Sequence, residues 1–152
     1  MTGHQEILSG LALAAFRLNG QFLDVAEGLA RPAGLSAAHW QVLGAVLQRP
    51  LPVAGIARDM GITRQSVQRI ANLLEEAGMV EFRPNPAHRR AKLVAPTGKG
   101  LAAVRRIDPA HAAFADRLCA ALGEDRTAEI LAMMRELSEA LEELEPEQPQ
   151  SD

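Results

Sequence analysis

The stretch that most constrains this chain runs from Ile62 to Gly78 and reads ITRQSVQRIANLLEEAG. Its ends carry helix stop signals. The Thr63 hydroxyl can accept a hydrogen bond from the free backbone N–H of Gln65 or Ser66, and Gly78 sits where a left-handed C-terminal cap is wanted. Between them, at about 100° per residue, Ile70, Ala71 and Leu74 fall within roughly 60° of Val67, while Gln65, Gln68, Arg69 and Asn72 gather on the far side. One face is core and the other is made of hydrogen-bonding side chains. Gln and Asn can pair bidentately with adenine and Arg with guanine, the groups a helix lying in a DNA major groove would carry. An ordinary amphipathic helix with a solvated face has the same pattern, so the stretch alone leaves both readings open.

The flanking segments narrow the choice. From about His4 to Ala30, Ile7, Leu11, Ala14, Leu18, Phe22, Val25 and Leu29 form one apolar stripe on a long helix, which Arg31-Pro32 ends. Ser36 caps a second helix, with Leu35 placed to touch Trp40 as a staple, and that helix carries Val42, Leu43, Val46 and Leu47 to about Gln48. Pro50-Leu51-Pro52 breaks the pattern. A short helix from Val53 to Met60 turns inward Ile56, Ala57 and Met60, and Gly61 turns the chain into the opening stretch. A short helix, a Gly-containing turn and a helix with a polar outer face make a helix-turn-helix.

After Gly78 the apolar period shortens towards two, at Met79, Val80, Phe82 and again at Leu93 and Val94. Two short strands joined by Arg83-Pro84-Asn85-Pro86-Ala87-His88-Arg89-Arg90 predict a basic hairpin projecting as a wing. Beside a helix in the major groove, its cations would meet phosphates or a narrow minor groove; a merely solvated basic loop has the same composition. Thr97 caps the next helix, within which Asp108-Pro109 marks either a kink or a restart. After Gly123, a last helix from about Asp125 aligns Ile130, Leu131, Met134, Leu137, Leu141 and Leu144. The Pro-, Gln- and acid-rich tail, 146–152, is expected to be disordered.

Charge becomes informative only when it is placed on this map. The net charge is −3, yet ten Lys or Arg face four acids between Arg58 and Arg106, and twelve acids face three Arg from Ile107 onward. The basic region holds the polar-faced helix and the wing. One cysteine, Cys119, precludes an internal disulfide framework, and neither a signal peptide nor a membrane span is visible, which predicts a soluble cytoplasmic protein.

Read together, these residues resemble the MarR family, the multiple-antibiotic-resistance type of bacterial transcription regulator. The resemblance rests on Leu35-Ser36 with His39-Trp40-Gln41-Val42-Leu43, on Ile56-Ala57 with Gly61 to Val67, and on Leu74 to Val80. It continues through Asn85 to Arg90 and Leu93 to Gly100. It implies a mainly α protein with a small β-hairpin wing: a winged helix-turn-helix lobe over about 35–100, flanked by dimerisation helices over about 4–30 and 101–145, all in one domain over 1–145. It further implies a homodimer on double-stranded, pseudo-palindromic operator DNA. Base reading falls to Gln65, Gln68, Arg69 and Asn72, and backbone contacts to Thr63, Arg64, Ser66, Arg89, Arg90 and Lys92. Control by a small aromatic or phenolic ligand would use a cleft near Phe16, Arg17, His39, Trp40 and Leu43, although Phe16 and Trp40 can equally be plain core.

Two positions depart from the family pattern. The wing usually carries Asp, any residue, Arg, and His88 stands at the aspartate position, removing a carboxylate that could hold an arginine by a charge-assisted hydrogen bond. Pro96 replaces a common Leu before the Thr, which should affect only a strand end. The long first stripe and the last leucine stripe are more than one small subunit can cover, so a second copy is their natural cover.

Other function classes find little support. His4, His39, His88 and His111 lack metal-ligand spacing, and there is neither a phosphate-binding Gly loop nor a nucleophile elbow. No enzyme, cofactor or metal is expected. A winged-helix module that binds protein would tolerate any polar face and would lack a steep salt dependence on duplex DNA. A cysteine redox sensor would need a reactive Cys119, which sits on an apolar helix face beside Leu118 and Leu122 as a small hydrophobe would.

Overall fold

The computed structural model of the chain describes residues 1–144. The predicted tail, 146–152, lies outside them. Packing divides the chain into two units, Met1–Ala110 and a second that begins at His111.

The first unit opens with α1, Gly3–Ala30, entered through a capping box: Thr2 Oγ1 accepts from the Gln5 N–H while Gln5 Oε1 accepts from the Thr2 N–H. The chain leaves α1 through one 3-10 turn, Arg31–Ala33, and Gly34 at φ 76°. Next comes α2, Ala37–Ala45, whose first turn is capped twice. Ser36 Oγ accepts from the His39 N–H, and the Glu27 carboxylate of α1 accepts from the Ala37 N–H at 2.8 Å. The carboxylate also complements the positive end of the α2 dipole, so α1 and α2 are tied at their junction. α2 stops three residues short of the expected Gln48. There the Val46 N–H folds back onto Leu43 O, yet the Val46 side chain is fully buried. The apolar pattern marked the core and overran the helix.

Pro50-Leu51-Pro52, expected only as a break, supplies a strand. β1, Leu51–Pro52, pairs antiparallel with β3, Leu93–Pro96, which in turn pairs with β2, Val80–Arg83, giving the order β1-β3-β2. A two-residue strand has no measurable period. Prolines are tolerated here because Pro52 lies on an edge strand and Pro96 is the last residue of its own. α3, Val53–Met60, leaves β1 directly, and α4, Arg64–Glu76, follows after Gly61 at φ 68°. Val42, Leu43 and Val46 meet Ile56, Val67, Ile70, Leu74, Val80 and Val94 in one core. Ala103, Val104 and Ile107 close it, from the start of α5, Gly98–Leu122. At Pro109 the chain does not stop and restart: Pro109 sits inside α5, where its ring removes one N–H donor.

The second unit holds the end of α5 and α6, Glu124–Leu144, joined at Gly123 with φ 89°. No described residue of α6 is buried. Leu131, Met133, Met134, Leu141 and Leu144 are exposed there. On α1 of the first unit the same holds for Ile7, Leu11, Phe16, Leu18 and Phe22. Among the described residues no helix is long and apolar enough to cross a membrane.

Candidate nucleic-acid interface

The polar-faced helix α4 is fixed at both ends by its own sequence. At the N-terminus Thr63 Oγ1 accepts from the Ser66 N–H at 3.1 Å and donates to Ser66 Oγ at 2.9 Å. At the C-terminus the Met79 N–H reaches Leu74 O and the Gly78 N–H reaches Glu75 O, with Gly78 at φ 75°: a Schellman closure. A second set of bonds then clamps this end from β3 and α5. Thr97 Oγ1 donates to Gly78 O at 2.5 Å, Lys99 Nζ to Ala77 O at 2.7 Å, and the Thr97 N–H to Met79 O at 3.0 Å. Thr97 also accepts from the Gly100 N–H, capping α5 as expected.

With Val67, Ile70, Ala71 and Leu74 buried, α4 turns Gln65, Gln68, Arg69 and Asn72 outward, all exposed. Two of these four are bonded to each other: Gln68 Nε2 donates to Asn72 Oδ1 at 2.9 Å, an i,i+4 pair on the outer face.

The wing is ordered by its own residues despite His88. Asn85 Oδ1 accepts from the Ala87 N–H at 3.0 Å and Asn85 O accepts from the His88 N–H at 3.2 Å, an Asx turn stacked on a tight turn. Arg83 pairs with Glu81 of its own strand at 2.7 Å. Among the described residues the other ion pair is Arg126–Glu129. Arg64, Arg69, Arg89, Arg90 and Lys92 therefore keep uncompensated, exposed positive charge.

An open groove of about 760 Å³ gathers Arg64, Gln65 and Gln68 of α4 with Arg90 and Lys92 of the wing. Five of the ten residues named from sequence for base and backbone contacts line one surface. Thr63 and Ser66 close the α4 cap, Arg89 stands exposed on the wing, and Arg69 and Asn72 are exposed on α4 without lining the groove. Sequence reasoning missed the rest of the lining: Pro52, Val53 and Ala54 at the start of α3, Glu75, and Phe82. Val53 and Ala54 matter electrostatically. Pro52 gives α3 no side-chain cap, so α3 and α4 both present the positive ends of their dipoles to this groove. The signal was Pro52 itself, a residue that fits before a helix and cannot cap it.

The residues named for a ligand cleft are scattered in exposure. Leu43 is fully buried in the core, His39 and Trp40 are half-buried on α2, Arg17 is exposed and Phe16 is 73% exposed on α1. Phe16 is thus not core within this chain. A separate opening of about 590 Å³ in the first unit is lined by Asn19, Leu23, Ala38, Gln41, Asp59 and Met60, among others, and contains none of the five. Cys119 is a free, half-buried thiol.

Comparison with known proteins accords with this geometry. Residues 33–91 match the sequence model of the MarR family. An uncharacterized protein of Mycobacterium tuberculosis is 40% identical over 93 residues, 61% of this chain, and the chain spans 65% of that relative's length. The regulator BldR from Sulfolobus solfataricus superposes with a TM-score of 0.77 at 18% identity, covering 92% of this chain and 99% of BldR. The repressor CouR of Rhodococcus jostii RHA1, in a structure bound to a 23-mer DNA duplex, superposes at 0.72 with 26% identity over 91% of this chain and 97% of CouR. CouR is also known bound to p-coumaroyl-CoA, where the TM-score is 0.65 at 24% identity, covering 86% and 90% of the two chains. Residues 33–91 thus carry the likeness to the MarR family, and the element order with the three-stranded wing sheet gives the chain the winged helix-turn-helix fold.

Proposed function

We propose that this protein is a DNA-binding transcription regulator that grips duplex DNA in the groove between α4 and the wing. The observation that carries the reading is the convergence of Arg64, Gln65 and Gln68 with Arg90 and Lys92 on one open surface, where none of these cations forms an ion pair among the described residues. In the major groove, α4 offers amides for adenine and Arg69 for guanine. Arg64, Arg89, Arg90 and Lys92, with the free N–H groups at the starts of α3 and α4, neutralise phosphates. The DNA-bound CouR structure supports the same use of this fold.

A homodimer completes the reading. The apolar residues of α1 and α6 left in solvent, Phe16 and Phe22 on one and Leu131 and Leu141 on the other, call for a second copy as cover. Two symmetry-related α4 helices would then meet half-sites about one DNA turn apart, roughly 34 Å. Selection of bound sites from a random duplex library tests all of this at once. A palindrome with that spacing is the expected product; no duplex affinity at low salt, with any sequence, overturns the regulator reading and favours a protein-binding winged helix.

Ligand control belongs to the same reading, supported by the p-coumaroyl-CoA complex of CouR. A small aromatic acid that prefers the DNA-incompetent spacing of the two α4 helices would release the operator, by as much as its affinities for the two states differ. Phe16, Arg17, His39 and Trp40 are the residues for it to meet, with Leu43 behind them in the core. Thermal-shift screening of aromatic acids is the direct check, and a flat response across the series removes the effector from the proposal.

A further inference from the structure

Two of the four outward residues of α4 differ in standing: Gln68 lines the groove, whereas Asn72 does not. What Asn72 does have is the bond from Gln68 Nε2 to its Oδ1, 2.9 Å long and one helical turn away. We infer that Asn72 is a positioning residue that fixes the orientation of the Gln68 amide, and that it acts on sequence recognition through Gln68 and not by touching a base itself. The inference rests on the DNA-binding reading above.

The chemistry of the amide makes orientation matter. A glutamine that pairs bidentately with adenine accepts from N6 with its oxygen and donates to N7 with one nitrogen hydrogen. Across the major-groove edge the order of N7 and N6 is reversed between A·T and T·A, so an amide flipped by 180° reads the opposite strand. A free glutamine on a solvated helix samples both orientations. With Nε2 turned towards Asn72, one of its two hydrogens is engaged, and the other remains available beside Oε1 for the adenine edge. Held in this arrangement, with the Gln68 nitrogen donating and the Asn72 oxygen accepting, the pair selects which strand carries the adenine. Arg69 and Gln65 are not bonded to this pair and are left to read independently.

An exposed i,i+4 side-chain hydrogen bond contributes about 0.2–0.5 kcal/mol, which corresponds to roughly a 1.4- to 2.3-fold bias between the two amide orientations. The test is site selection from a random duplex library with four proteins: wild type, Gln68→Ala, Asn72→Ala and the double variant. Wild type should prefer A·T over T·A at one base pair in each half-site. Gln68→Ala should abolish that preference, Asn72→Ala should reduce it at the same pair by about 1.4- to 2.3-fold, and the double variant should match Gln68→Ala there. Asn72→Asp keeps the acceptor and removes the donor, so Gln68 can only turn its nitrogen towards it; the A·T preference should be kept or sharpened while the added charge weakens every duplex alike.

If Asn72→Ala changes preference at a different base pair from Gln68→Ala, Asn72 is a reader in its own right and the inference fails while the regulator reading stands. If Asn72→Ala leaves all preferences as in wild type, the Gln68–Asn72 bond has no effect and the inference fails again. If wild type enriches no sequence at all, the DNA-binding reading falls, and the inference falls with it.

Discussion

Replacing Gly100 by alanine sets two physical rules against each other. Gly100 lies in the first turn of α5 without a positive φ, and by helix propensity alone alanine there should add roughly 1 kcal/mol of stability. The packing demands the opposite. A Cβ built on Gly100 falls against Met79 O with no room, and meets the Met79 carbonyl carbon at 3.1 Å and Leu43 Cδ2 at 3.2 Å. The first two atoms are backbone, held by the Schellman closure of α4 and by the bond from the Thr97 N–H, so they cannot swing aside as a side chain would. α5 must instead retreat by an ångström or so from its seat on Met79, where Ala103, Val104 and Ile107 complete the core. Overpacking of this kind costs about 1–3 kcal/mol, and backbone opposition places Gly100→Ala at the upper end. After the propensity gain, a net loss of about 2 kcal/mol remains, a drop in melting temperature of roughly 4–8 °C for a chain this long. Gly98→Ala is the control, since nothing lies within 4 Å of its Cβ. Thermal unfolding followed by circular dichroism at one protein concentration measures both. Equal melting temperatures for the two variants would show that the close approach at Met79 is not a constraint on the fold.

The wing and the helix faces give further tests. Arg90→Ala or Lys92→Ala should weaken selected and random duplexes by the same factor and lower the slope of log affinity against log salt by about one, whereas Arg69→Ala should cost more on the selected site; a sequence-dependent loss for Arg90→Ala would contradict its assignment to phosphate. Asn85→Ala removes the acceptor that shapes the wing tip, and being an exposed turn it should lower duplex affinity while shifting stability by no more than about 0.5 kcal/mol, as titration and thermal melts of the same sample would show. Phe16→Asp puts a carboxylate on the exposed stripe of α1 and should yield monomers by light scattering at concentrations where the wild type is dimeric; an unchanged mass would move the dimer contact away from this part of α1.

How much of this molecule could be read from its sequence depends on the distance over which each feature is specified. α4 was legible in full because everything that defines it is local: Thr63 and Gly78 cap it, and Val67, Ile70, Ala71 and Leu74 recur at its own period. The wing was legible as composition, a basic Pro- and Asn-rich hairpin, but its order comes from Asn85 bonding two and three residues on, a pairing that composition does not specify. The end of α2 was misjudged because Val46 is core without being helix, and periodicity reports burial before it reports backbone. β1 left no trace at all, since a strand of two residues is defined by its partners Leu93 and Val94.

The Thr97-Gly98-Lys99-Gly100 segment joins these scales. In sequence it reads as a helix start and little more. In the fold, Thr97 and Lys99 find acceptors 19 and 22 residues upstream, at the carbonyls that end α4, and Gly100 lets α5 approach the backbone beyond them. The same Met79 that receives this contact leads directly into β2, so one short segment sets the angle between the base-facing helix and the wing strand. The groove that holds Gln65, Gln68, Arg90 and Lys92 has walls made of local sequence and a width made of this distant contact. A side chain at Gly100 should therefore do more than lower stability: by displacing the hinge between α4 and β2 it should weaken duplex binding even at temperatures where the variant is fully folded, and full affinity in folded Gly100→Ala would mean that the groove is held open by the wing alone.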